Sequence, residues 1–296
     1  MNKIATIGFF DGVHRGHRFL FDQLTEEAKK RGLQPLIVTF RQHPRSVLQS
    51  DYVPQLLTST DERLNILESI APVEAFDFAA IRELTAAEFM RRLHDEYDVR
   101  VLLMGYDHCF GSDRLRHPQD YIRLGEHVGI EVLSAHEFVD GEWHISSTEI
   151  RQALLTGNIL VANELLGYPY SLSGIVTEGN HIGRTIGFPT ANILPDCPHK
   201  LLPKSGVYAV NLQSEIINHK SKIINHKFPT LAIANVGTNP TIGNSAVTIE
   251  VHIPDFHADL YGQRLTISFI RFLRDEHKFS SLTALRNQIR TDLSKL

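Results

Sequence analysis

Apolar residues fall in short runs along the whole chain, but what lies between the runs changes partway through. Over the first half the runs cover residues 4–8, 35–40, 73–78, 99–105 and 130–135. They are rich in β-branched residues, the pattern of parallel strands buried on both faces. Between them lie helical stretches. Ser59 with Glu62, Thr85 with Glu88 and Ser146 with Glu149 have capping-box spacing, and Leu64, Leu67 and Ile70 follow at helical intervals. Alternating strand and helix predicts an α/β fold with a doubly wound parallel sheet, whose ligands sit beyond the carboxyl ends of the strands. From residue 174 onward the runs 174–178, 206–212, 230–236, 247–253 and 264–272 are separated by Gly, Pro and Asn turns. Strands without intervening helices predict a small antiparallel β-barrel. A terminal helix over 279–296, with Leu282, Leu285, Ile289 and Leu293 on one stripe, is expected to close it. The boundary falls near residues 168–173, dividing the chain into domains 1–170 and 171–296.

The first run leads into I-A-T-I-G-F-F-D-G-V-H-R-G-H-R-F-L, residues 4–20. Gly8, Gly12 and Gly16 clear side chains from a tight turn that also carries Phe10 and Asp11. His14 and His17 lie three apart where a helix begins, and the free N–H groups and dipole of a helix N-terminus favour phosphate. Two imidazoles there suit charge developing on phosphoryl oxygens during an in-line displacement. The plainer readings are histidines on a solvated first turn, or two zinc ligands. A third ligand at metal-site spacing does not follow nearby.

Composition narrows the setting. The 296 residues suffice for two domains, and 42% hydrophobic with 22% charged residues describes a soluble globular protein. No apolar run reaches the roughly 20 residues that span a bilayer. The N-terminus enters the first strand almost at once, leaving no room for a leader, so a cytoplasmic protein is expected. Cys109 and Cys197, one in each half, fit reduced thiols. A net charge of −4 argues against a broad nucleic-acid surface. The 16 histidines are mostly scattered and matter only inside motifs.

Further motifs add donors. Residues 104–111, M-G-Y-D-H-C-F-G, place Asp107 and Phe110 on a turn after a strand. Residues 144–152, H-I-S-S-T-E-I-R-Q, set Ser147 and Thr148 at a helix start and Arg151 one turn in, a second anion cradle; alone, this is also an ordinary capped helix. In the second half, residues 179–193, G-N-H-I-G-R-T-I-G-F-P-T-A-N-I, offer Gly179, Gly183 and Gly187 as a loop around a phosphate chain. Thr190 and Asn192 present oxygens to a cation. Periodicity sets Glu250 on one strand face with Thr248 and His252, where a carboxylate is able to take a proton from a substrate hydroxyl. Taken alone it is equally an exposed strand glutamate. The duplicated I-I-N-H-K at 216–220 and 223–227 reads as a polar loop with no chemical role.

Together, T-I-G-F-F-D-G-V-H-R-G-H, I-S-S-T-E-I-R, G-F-P-T-A-N-I, N-V-G-T-N-P-T, D-L-Y-G and F-L-R-D-E-H-K-F resemble the bacterial bifunctional riboflavin kinase and FAD synthetase family, in order and over nearly the whole chain. The resemblance implies an N-terminal nucleotidyltransferase domain that adenylylates FMN to FAD with release of pyrophosphate. It implies a C-terminal riboflavin kinase-like barrel that converts riboflavin to FMN with release of ADP, both activities using ATP with magnesium. By the same resemblance His14 and His17 are the ATP-phosphate histidines, and Asp107 stands where the family often has asparagine. Ser147, Thr148 and Arg151 form a second phosphate segment. Thr190 and Asn192 contact magnesium and phosphate, Glu250 activates the ribityl hydroxyl, and Arg271, Arg274 and Glu276 lie in the flavin-side segment. The chain departs from the family after Gly111, where S-D-R-L-R-H-P replaces a glycine-containing basic turn. Competing classes are an adenylyltransferase for another phosphorylated metabolite with the barrel as a specificity module, and a noncatalytic flavin or nucleotide sensor.

Overall fold

The computed structural model describes residues 1–105, 108–139, 145–179, 182–214, 230–238, 247–256 and 259–296. Two compact units divide between Ser147 and Thr148, ahead of the boundary that the change in pattern suggests.

The first unit runs β1 (Lys3–Ile7), α1 (Arg15–Arg31), β2 (Gln34–Phe40), α2 (Pro44–Leu48), α3 (Thr60–Glu68), β3 (Val73–Phe76), α4 (Phe78–Ile81), α5 (Ala86–Tyr97), β4 (Val99–Met104), α6 (Pro118–Val128) and β5 (Glu131–Ser134). The strands form one parallel sheet in the order β3-β2-β1-β4-β5. Because successive side chains point to opposite faces, each strand feeds two cores. Ala5, Val38 and Leu102 pack with Phe89 of α5 and Tyr121 of α6. Ile4, Ile37 and Val101 pack with Phe21 of α1 and Leu67 of α3 on the other side. This is the doubly wound arrangement that the apolar runs predict. Strand β3 stops short of residue 78 because the Asp77 carboxylate accepts from Ala79 N–H at 3.0 Å and caps α4. The boxes at Ser59 and Thr85 both form, each side chain and its glutamate exchanging hydrogen bonds with the other's backbone. On α3 the buried stripe is Arg63 and Leu67, while Leu64, and Ile70 just past the helix end, are only half-buried.

From α7 (Ser147–Thr156) the chain continues through α8 (Ile159–Leu166), β6 (Ser171–Thr177), α9 (Ile182–Thr185), β7 (Thr190–Pro195), β8 (Gly206–Ser214), β9 (Thr230–Thr238), β10 (Val247–His252), β11 (Arg264–Arg274) and α10 (Leu282–Leu293). The six strands close a barrel in the order β10-β7-β6-β11-β8-β9. Helix α8 is tied to it by Asn163, which donates to Phe269 O at 2.9 Å and accepts from Tyr170 N at 2.7 Å. Strand β7 is the element that the sequence pattern hides. Its first residues, T-A-N, close a glycine-rich run and read as loop, yet all three pair with β10, and Asn192 pairs with β6 as well. Helix α10 also differs from expectation. Leu285 and Ile289 are half-buried, but Leu282 is 58% exposed, and the one buried side chain on the helix is Asp292. A polar anchor replaces the apolar seal.

Replacing Ser59 by Ala is expected to cost the first unit about 1 kcal/mol through loss of the α3 cap, read as a lower denaturation midpoint with an unchanged denaturant slope.

Candidate active sites

The turn after β1 is held from several directions. Gly8 N donates to Val38 O at 3.0 Å, and the Phe10 ring lies across Gly8 so closely that a Cβ there would meet Phe10 Cε1 at 2.5 Å. Phe10 has φ 55°, costly for a side chain of this size, and then packs edge-on against Phe21 and His17 at 4.9 and 5.2 Å. Asp11 is 4% exposed, and its carboxylate accepts from Leu57 N and Thr58 N at 3.0 Å and from Thr58 Oγ1 at 3.1 Å. Gly12 N donates to the same Thr58 hydroxyl at 3.0 Å, and Ser147 Oγ donates to Asp11 O at 2.9 Å. Asp11 and Gly12 are thus framework of the turn. The carboxylate faces inward, where its charge meets N–H and O–H donors.

That framework sets down the two histidines. His14 is the N-cap of α1, its Nδ1 accepting from His17 N at 3.4 Å, which leaves the proton of the neutral ring on Nε2. The two rings stack with centroids 3.6 Å apart and planes at 19°. Burial, then the neighbouring His14, then His108 push His17 well below the ordinary histidine value. Its Nδ1 is sealed from solvent without a hydrogen-bond partner. At neutral pH, therefore, His17 is a neutral ring at a helix N-terminus. Asp107 lies outside the described residues, Thr148 is exposed on the first turn of α7, and Arg151 is half-buried one turn later.

Two groups that the sequence reading passed over stand beside this turn. His43 caps α2 by accepting from Arg45 N at 3.1 Å, and its ring meets Phe9 at 4.8 Å and Tyr52 at 5.4 Å. Its signal is the His-Pro pair after a strand. Arg63 lies under Phe9 with its guanidinium carbon 4.0 Å from the ring centroid. Its signal is only a charge four residues before Leu67, on the same helix face.

In the barrel, register builds the site. Glu250 stands directly opposite Asn192 of β7 on one side and Asn235 of β9 on the other, so all three side chains share a face. Thr190 Oγ1 donates to Glu250 Oε2 at 3.4 Å. These residues line a cavity of about 450 Å³ together with Gly183 and the apolar Phe279, Leu285 and Ile289. Gly179 admits the Asn192 carboxamide, into which a Cβ would run. Gly187 turns the chain at φ 84°. Glu276 is pinned by Asn235 Nδ2 at 2.9 Å, and Arg274 by a paired contact with buried Asp292 at 2.9 Å, with Gln288 donating to the second oxygen of Asp292. Arg271 is not brought to the cavity. It is exposed and donates to the Lys295 carbonyl.

A second cavity of about 390 Å³ takes Ala191, Val251 and Ile253, the residues that alternate with the first set, so the two lie on opposite faces of the β7–β10 wall. Arg184, Asp259 and Tyr261 line it; all three fall inside motifs that the sequence shows, residues 179–193 and D-L-Y-G, but none is singled out there as a site residue. Thr190, the first residue of β7, lines both cavities. Among the described residues no three His, Cys, Asp or Glu side chains gather as a metal site.

Residues 1–149 match the FAD synthetase family and residues 166–296 the riboflavin kinase family. The chain is 38% identical to the bifunctional riboflavin kinase/FMN adenylyltransferase of Escherichia coli strain K12, over 98% of this chain and 90% of that protein. The Listeria monocytogenes protein of the same name is 34% identical over 99% and 90%. A crystal structure of a protein called a macrolide-efflux protein, from Streptococcus pneumoniae, superposes with a TM-score of 0.86 at 31% identity, covering 99% of this chain and 93% of that one. Among the described residues no helix is long and apolar enough to cross a membrane.

The depressed His17 value has a stability consequence. Between its folded value and the ordinary 6.5, the unfolded chain binds the proton that the folded chain refuses, so stability falls as pH drops below about 6.5. Thermal midpoints followed from pH 8 to about pH 5 are expected to decline along this limb, and His17→Gln to flatten it.

Proposed function

The chain belongs to the bifunctional riboflavin kinase/FMN adenylyltransferase family, and from that premise we propose how its residues divide the two reactions. The enzyme phosphorylates riboflavin to FMN with ATP, releasing ADP, and adenylylates FMN with ATP to give FAD and pyrophosphate. Its substrates are small molecules.

In the barrel, riboflavin occupies the cavity of Glu250, its ring system toward Phe279, Leu285 and Ile289, and ATP occupies the cavity of Arg184. The carrying observation is that the two cavities meet at Thr190, whose hydroxyl contacts the Glu250 carboxylate. Glu250 takes the proton from the ribityl hydroxyl as that oxygen attacks the γ-phosphorus, and the ADP oxygen leaves with the bond electrons. Arg274 and Glu276, both immobilised by neighbours, fix the flavin side. Thr190 and Asn192 suit magnesium: hard neutral oxygens beside one carboxylate match an ion held mainly by phosphates. The ion, when bound, offsets negative charge on the transferring group.

In the first unit, an FMN phosphate oxygen attacks the α-phosphorus of ATP and pyrophosphate departs. The α1 N-terminus and the backbone around Gly8, Phe10 and Gly12 receive the ATP phosphates, with Ser147 and Asp107 as further contacts. His14 and His17 act as N–H donors to the oxygens that gain charge, His17 as a neutral ring, so no covalent intermediate is required.

Incubation with riboflavin, ATP and magnesium, following FMN and FAD over time, separates the two halves. Glu250→Gln is expected to lower FMN formation about 100-fold or more while sparing FAD formation from supplied FMN. His17→Ala is expected to do the reverse, with FAD formation down about 100-fold. Normal kinase turnover in the first variant, or normal FAD synthesis in a folded second variant, rejects the corresponding role. Chelation of divalent ions is expected to stop both reactions and added magnesium to restore them; activity in excess chelator refutes the metal assignment.

A further inference from the structure

Arg63 is an expensive residue to keep where it is. It sits on the second turn of α3 with no exposed surface, and Nη2 donates to Phe40 O at 2.6 Å. Nε and Nη1 have no partner. Burial draws its pKa down to about 10, with Asp11 opposing the shift, so the group remains charged at neutral pH. A buried cation with unsatisfied donors costs stability, and an apolar side chain of similar shape is commonly neutral or better at such a position. Core filling therefore does not account for it.

What Arg63 touches points to another role. Its guanidinium covers one face of Phe9 while its Nη2 bond fixes the end of β2, so a single side chain spans the outlets of both strands. The Phe9 carbonyl also accepts from Thr39 Oγ1 at 3.3 Å. Phe9 leads directly into Phe10, whose positive φ persists only where the surroundings enforce it. On the other side of Phe10, Asp11 is clamped by Leu57 and Thr58. Residues 57–63 therefore grip the turn at two points that bracket the strained residue, and Phe10 supports the ring of His17.

We propose that Arg63 is a positioning residue for adenylyl transfer, holding Phe9 and the end of β2 so that the turn delivers His14 and His17 in register with the reacting phosphate. The inference rests on the assignment of that turn to FAD synthesis. Misplacement by an ångström is enough to cost about 100-fold in rate, and it acts on turnover more than on binding.

The test uses the full-length chain, with kinase turnover as the internal control. Arg63→Met is expected to leave the thermal midpoint of the first unit unchanged or raised. It should lower kcat for FAD formation by about 10- to 100-fold, with KM for ATP changed by less than about threefold. Arg63→Lys, which keeps a cation over Phe9 and a donor for Phe40 O, is expected to recover most of the loss. Wild-type FAD formation in Arg63→Met overturns the proposal. So does a loss that follows a fall in midpoint and is not restored by lysine, since that marks a purely structural residue. His17→Ala tells the two ideas apart: if it spares FAD synthesis, the assignment of the turn fails, whereas if it abolishes synthesis and Arg63→Met does not, only the role of Arg63 fails.

Discussion

The buried carboxylate of Asp11 is the contact on which the first unit's chemistry depends. A carboxylate removed from water must find donors, and here Leu57, Thr58 and the Thr58 hydroxyl supply them. Meeting that demand draws residues 57–58 against the turn after β1 and fixes where α1 begins. The cap on α1 is His14, and the stack of His14 on His17 follows from the helical step between them. Negative charge is thus consumed inside the framework, while the helix end offers N–H groups outward. An acidic residue beside a helix N-terminus is consistent once its direction is known.

The barrel reaches an equivalent result by register. Nothing at Glu250 itself selects its neighbours; antiparallel pairing does, by setting Asn192 and Asn235 across from it. The same alternation sends Val251 and Ile253 to the other face of the wall, so one strand contributes a polar side to one cavity and an apolar side to the next. Side chains here are held by fixed partners: Glu276 by Asn235, Arg274 by Asp292. Sites built on strands with immobilised neighbours lose little order when substrate arrives.

Much of this was legible in the sequence, and the gaps have physical causes. The apolar runs of the first half mark the central strands β1, β2 and β4 well, because both their faces are covered, and the edge strands β3 and β5 are found although they are only partly buried. Strand β7 was missed because glycine and proline beside it signal loop more loudly than T-A-N-I-L signals strand. Arg63 was invisible because a capped helix with D-E-R in its first turns looks solvated, and only the tertiary fold shows which face turns inward. Leu282 and Arg271 failed for a related reason: helical and motif position establish neighbourhood, not direction. Asp11 was legible as part of the turn, but sequence spacing does not reveal that residues 57–58 come to meet its carboxylate.

Thr190 carries one more implication. As the first residue of β7 it lines both cavities. If flavin and nucleotide divide the two cavities as proposed, a bulkier residue there is expected to lengthen the path that the phosphoryl group must cross, and a smaller one to open a passage for water, which would then compete with the sugar alcohol and waste the nucleotide. On that assignment the width of the threonine sets fidelity.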